Sequence, residues 1–141
     1  MGQGGTDVLA AYRAHWADFE AASRVFPVDP SNPMLAQHMA GTQLSRVRNQ
    51  LSLMRSQSQY IQGPSVDLSR ARVLDVQPGP AASATVADCE LDASYLVSGP
   101  TGRAISRPSG VRNLLHAALQ LVDGRWKVTS LRVLSTGCQR A

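Results

Sequence analysis

The sequence predicts an α+β fold, with N-terminal helices packed on a curved antiparallel sheet, and three observations carry that prediction. Before Gly63-Pro64 the apolar residues recur at three- and four-residue steps, the spacing of a helical stripe. After that pair the period falls to two, as in strands. Near the end two apolar runs flank Asp123-Gly124, a dipeptide favoured in two-residue type I′ hairpins because it tolerates positive φ.

Each element follows from its own residues. Over residues 6–25, Val8, Leu9, Tyr12, Trp16, Phe19 and Ala22 or Ser23 fall on one stripe, with Thr6 or Asp7 as the cap. Pro27, Pro30 and Pro33 end this helix, because proline lacks the N–H and disfavours helix just before itself. A short helix over 34–40 follows, with Asn32 as cap and Pro33 at its first position. A third helix over 42–57 buries Leu44, Val47, Leu51 and Met54 and turns Arg46, Arg48 and Arg55 to solvent. Val66, Leu68 and residues 73–76 read as a first strand, stopped at Pro78-Gly79-Pro80. Residues 82–91 give a second, continued or restarted over 95–97 before Gly99-Pro100-Thr101-Gly102 turns the chain. The final hairpin spans 114–122 and 125–134. Its register pairs Leu121 with Trp126 and Leu119 with Val128 on the core face, and Gln120 with Lys127 and Ala118 with Thr129 on the other. Apolar parity then moves to Leu131 and Val133, which requires a β-bulge near Ser130. Trp126 is expected to pack on the first helix.

Length and composition set the limits. A chain of 141 residues makes one domain, here residues 6–138, with a flexible start over 1–5 and a tail over 139–141. Hydrophobic residues at 43% and charged residues at 17% exclude a disordered chain, and 5% aromatics make the core aliphatic. Arginine outnumbers lysine 13 to 1, which reads as GC-rich codon supply. The net charge of +4 alternates in sign along the chain, so no basic face with interleaved aromatics forms and no specific nucleic-acid partner is expected. There is no apolar run of transmembrane length and no signal-peptide pattern. The opening Met1-Gly2-Gln3-Gly4-Gly5-Thr6 loosely fits N-myristoylation, but a glycine-rich start after a removed leader, or an expression remnant, accounts for it as well.

Few residues carry chemistry. Cys89 and Cys138 lack metal-site spacing, so no metal is expected. They read either as a disulfide, which implies an oxidising compartment, or as two separate buried thiols. No nucleophile elbow, Walker loop, zincin motif or dinucleotide fingerprint occurs, so no cofactor is expected. Asp88, Glu90 and Asp92 share one face of a strand. The outward reading, an acidic surface ladder, is preferred; facing inward, Asp88 becomes a buried acid and the one weak catalytic candidate. His15, His38 and His116 read as surface or packing residues.

Ala10-Ala11-Tyr12-Arg13-Ala14-His15-Trp16, Ala87-Asp88-Cys89, Asp123-Gly124-Arg125-Trp126-Lys127-Val128 and Gly137-Cys138, in this order of elements, resemble small secreted proteins and lipoproteins of actinobacteria with the NTF2-like, or SnoaL-like, cone fold. The resemblance implies a Cys89–Cys138 disulfide and an extracytoplasmic, secreted or envelope-associated location. It implies no reaction, since that group is largely uncharacterised. The function expected is a non-catalytic binding or assembly module, either a homodimer or a binder of an envelope partner, through an outer sheet face with Ala118, Gln120, Lys127, Thr129 and Leu131. The alternatives are an apolar-ligand carrier, with Tyr12, Trp16, Phe19, Met54 and Tyr95 as pocket candidates, and an isomerase-like or dehydratase-like enzyme using the cone.

Overall fold

The Asp123-Gly124 pair forms the turn its residues demand. In the computed structural model, which describes residues 3–141, both take positive φ, 53° and 76°. The turn joins β5 (Asn113–Val122) to β6 (Arg125–Thr136) in the expected register as far as Leu119↔Val128. There the register slips, and Ala118 pairs with Ser130 rather than with Thr129, which is the extra residue of a bulge. A second slip between Leu114 and Leu115 bends β6 again. The first slip brings Leu131 onto the same face as Ala117 and against the core.

The hairpin is half of a four-stranded antiparallel sheet in the order β2-β3-β5-β6, with β2 (Arg72–Gln77) and β3 (Ser83–Glu90) completing it. Val66 and Leu68 do not join β2. Glu20 accepts the Val66 N–H at 2.9 Å, and Asp67 forms an isolated bridge with Leu91, just past the end of β3. Residues 95–97 do not continue β3 either. They lie in β4 (Tyr95–Ser98), which pairs with β1 (Gln59–Gln62) in a separate two-stranded ribbon that the periodicity did not indicate. Gly99, just past β4, is set by close packing, since a Cβ there would lie 2.2 Å from the Phe26 ring.

The helices occupy the concave side. α1 (Gln3–Ser23) starts earlier than expected, so residues 3–5 form its first turn rather than a flexible start, and Thr6 and Asp7 lie inside it rather than at its cap. The rest of the expected flexible start, and of the myristoylation pattern's opening, lies outside the described residues. α2 (Leu35–His38) is shorter than the expected 34–40 and has Met34 as its N-cap, with no side-chain cap bond; Asn32, the expected cap, instead accepts the Met34 N–H at its Oδ1 at 3.0 Å in the turn before the helix. α3 (Gly41–Ser56) buries Gln43, Val47, Leu51 and Met54. One core cluster joins α1 to the sheet through Val8, Ala11, Tyr12, Val86, Leu119 and Val128, with Trp126 packed against it as expected. A second gathers Ala22, Val28, Leu35, Leu51, Met54 and Ile61 among the helices and β1.

Cys89 and Cys138 are bonded, with 5.9 Å between their Cα atoms. Around that link Arg112 donates to the Cys89 carbonyl at 2.9 Å and to Asp67 at 2.7 Å, and its own carbonyl accepts the Gly137 N–H. The expected tail is tied down too, with Arg70 donating to the Gln139 carbonyl and Arg72 to that of Ala141. Reducing the disulfide is expected to lower stability by about 4 kcal/mol, the chain-entropy value for a loop of this length, read from urea unfolding with and without reductant. A Cβ at Gly124 would meet nothing within 4 Å. Gly124→Ala should therefore cost only the left-handed backbone penalty, about 1 kcal/mol.

Candidate functional site

The buried face of α1 is more polar than a simple apolar stripe. Tyr12, His15 and Asp18, at three-residue steps, are all buried, while Trp16 and Phe19 flank them half-buried. Each of the three bonds to a different element. The Tyr12 hydroxyl donates to Asp88 Oδ2 of β3 at 2.6 Å, His15 Nε2 meets Gln43 Nε2 of α3 at 2.9 Å, and Asp18 Oδ2 lies 2.7 Å from His38 Nδ1 of α2.

The carboxylates of β3 therefore face inward, correcting the expected outer ladder: Asp88 and Glu90 are buried, and only Asp92, beyond the strand, is partly exposed. The reason is parity. They continue the face of Ala84 and Val86, which α1 covers. Burial raises the pKa of both carboxyls, with the Tyr12 and Asn113 hydrogen bonds opposing it at Asp88 and Glu90 respectively. Tyr12 is raised as well, by its own burial and then by the Asp88 charge, so it serves as donor to that carboxyl. Asp88 Oδ1 and Glu90 Oε2 have no hydrogen-bond partner among the described residues.

His15 is held neutral. Burial, followed by the charge of Arg46, lowers its pKa to about 3. Because Gln43 Oε1 accepts from Arg46 at 2.8 Å, the amide nitrogen is what faces His15, so His15 Nε2 accepts and the ring proton sits on Nδ1. Of the two readings for His15, surface or packing, its burial decides for packing.

The expected pocket residues do not line one cone. Tyr12 is sealed in the core. Trp16 and Phe19 stand edge to face, ring centroids 6.3 Å apart, beside a hollow of about 60 Å³ that also meets Arg46, Gln50 and Leu131. Met54 and Tyr95 line a different cleft, of about 280 Å³, between α3 and the β1–β4 ribbon. Gln50 borders both spaces. A third, open groove of about 370 Å³ runs between α1 and the hairpin tip, beside Ala10, Ala14, His38 and Trp126. None of these three spaces is lined by Asp88 or Glu90. Among the described residues no cluster of three metal-ligating side chains occurs. Sequence reasoning missed Gln43, Gln50 and Leu53. The first looks like any solvated glutamine, and the other two gain meaning only when β1 comes to lie opposite them.

No family model matches the chain, and no curated protein does. Among solved structures, the intermembrane space region of the chloroplast protein ARC6 superposes with a TM-score of 0.65 at 13% identity, over 96% of this chain and 99% of that one. A de novo designed β-sheet protein solved by NMR aligns over 95% of this chain and 92% of its own at 16% identity, with a TM-score of 0.36 that is too low to bear on the fold. The first likeness shows the fold.

A carboxyl whose pKa is raised on folding stabilises the native state below its ordinary pKa and loses that contribution as pH rises through the raised value. Asp88→Asn removes the Asp88 share of this loss, so the variant should gain stability relative to wild type between pH 4 and pH 8 in urea titrations; a gap equal at both pH values would contradict the burial account. Tyr12→Phe, which strands the Asp88 carboxyl, should cost about 1–3 kcal/mol.

Proposed function

We propose that the chain is a non-catalytic, extracytoplasmic binding or assembly module built on an NTF2-like cone whose interior is filled. The observation that carries this reading is the sealed interior. Asp88, the weak catalytic candidate, is fully buried, is capped by the Tyr12 hydroxyl and lines none of the three spaces. A catalytic carboxyl must come within hydrogen-bond reach of a reacting atom. The exposed large apolar side chains lie elsewhere, among them Leu53 on α3, Phe26 and Met34 between α1 and α2, Ile105 past β4, and Val133 and Leu134 on β6.

The compartment rests on two supports. The Cys89–Cys138 disulfide persists in oxidising surroundings, and one structural neighbour is the intermembrane space region of a chloroplast protein. No helix among the described residues is long and apolar enough to cross a membrane. The contact face first expected needs one correction, since the bulge at Thr129 takes Leu131 away from Ala118 and Gln120 and turns it to the core.

Panning a phage-displayed random dodecapeptide library on the oxidised protein, with native mass spectrometry of the protein as purified, tests the module reading. Peptide binders that bind Asp88→Asn equally well, and no retained small molecule, are expected. A retained apolar compound that is lost on Tyr12→Phe or Asp88→Asn would replace the module with a ligand carrier or an enzyme.

A further inference from the structure

We infer that the cleft between the C-terminal half of α3 and the β1–β4 ribbon receives an extended, acidic segment of a partner protein that carries large apolar side chains. The inference rests on the module reading above and supplies its contact surface and the chemistry of its partner.

The floor is apolar and largely buried. Met54 and Ile61 close its base, and Leu96, paired with Ile61 across the ribbon, continues it. Two large apolar residues stand exposed at its edge: Leu53 on the helical wall, 58% exposed, and Ile105, 51% exposed, next to the lining residue Ser106. About 280 Å³ holds a few side chains but is small for a lipid chain or a drug-sized ligand. Around this floor the side chains of Gln50, Gln57 and Gln59 make no hydrogen bond among the described residues. A primary amide offers two donors and an acceptor together, which matches the alternating C=O and N–H groups of an extended backbone.

The charge around the cleft selects the sign of its occupant. Arg46 lies one helical turn before Gln50, in the adjoining hollow that Gln50 shares. Arg103 and Arg107 are exposed on the segment that lies along the outer edge of β4, where the Ile105 N–H donates to the Leu96 carbonyl and the Leu96 N–H to Ser106 Oγ. None of the three arginines has an ion-pair partner among the described residues. α3 contains no Asp or Glu, and neither do residues 93–122. Asp92, two positions before the lining residue Ser94, accepts from the backbone N–H and hydroxyl of Ser94. Unpaired guanidinium groups beside an apolar floor favour carboxylates flanking apolar anchors. A recessed cleft bordered by amides fits a peptide better than a flat anionic membrane, whose headgroups would meet the arginines but leave the floor empty.

The library panned above provides the test. The enriched dodecapeptides should be net negative and carry paired large apolar residues. Synthetic versions should bind the oxidised full chain with affinities reduced about tenfold or more by Leu53→Arg or by Arg103→Glu with Arg107→Glu, and weakened by added salt. Leu53, Arg103 and Arg107 are exposed, so these variants should keep the wild-type unfolding midpoint, and amide shift changes should centre on Leu53, Ile61 and Leu96. Peptides that bind both variants as tightly as wild type, or that shift amides of the outer sheet face, overturn the cleft and leave the module reading standing. Positively charged winners overturn the acidic partner, as does binding of phosphatidylglycerol vesicles that displaces the peptides. An absence of any peptide binder overturns both readings.

Discussion

The molecule is organised by how α1 is held in the concave face of its sheet. Three polar groups on one stripe of that helix, Tyr12, His15 and Asp18, each meet a different neighbour: β3 through Asp88, α3 through Gln43 and α2 through His38. Apolar packing alone tolerates rotation and sliding of a helix, whereas buried hydrogen bonds are satisfied in one arrangement only. The aromatic flank of the same helix, Trp16 and Phe19, fills space beside these contacts. The sheet accepts the helix because its long hairpin bends at two bulges, which also turns Leu131 inward.

That arrangement has a chemical consequence. Two carboxyls buried side by side on β3 would be costly as charges, and burial moves both toward the protonated form. In a site built for catalysis such groups face an opening. Here Tyr12 lies over Asp88, so the same perturbed acid is part of the joint between helix and sheet. The open surface is displaced to the other end of the helical layer, where α3 faces a two-stranded ribbon that the main sheet does not include.

The same end of β3, where Cys89 stands between Asp88 and Glu90, is fixed by covalent and ionic means. Cys138 is drawn onto Cys89, and Arg112 joins the Cys89 carbonyl, Asp67 and the Gly137 amide at one place. Serine contacts, then the Arg112 hydrogen bond, hold the Asp67 carboxyl well below the usual carboxylate range. The loop over residues 63–68 is thus clamped from two sides, by Glu20 of α1 with Arg24 just past its end, and by Arg112. This explains why Val66 and Leu68, strand-like by composition, form none.

The sequence by itself determined what depends on near neighbours along the chain. Helical stripes, the proline stops, the Asp123-Gly124 turn and its register follow from local sterics and periodicity, and the parity change after Val128 already announced a bulge. It left the Cys89–Cys138 pairing to resemblance. Only the tertiary structure decided which face of β3 is inside, because alternation gives two faces and not their direction, and Asp88 and Glu90 were assigned to the wrong one. It alone made His15 and Gln43 buried partners, since a polar residue on a helix shows its burial only when a second helix covers it. It also decided the cleft beside α3, whose walls lie up to 56 positions apart between Gln50 and Ser106 and meet only after β1 and β4 pair.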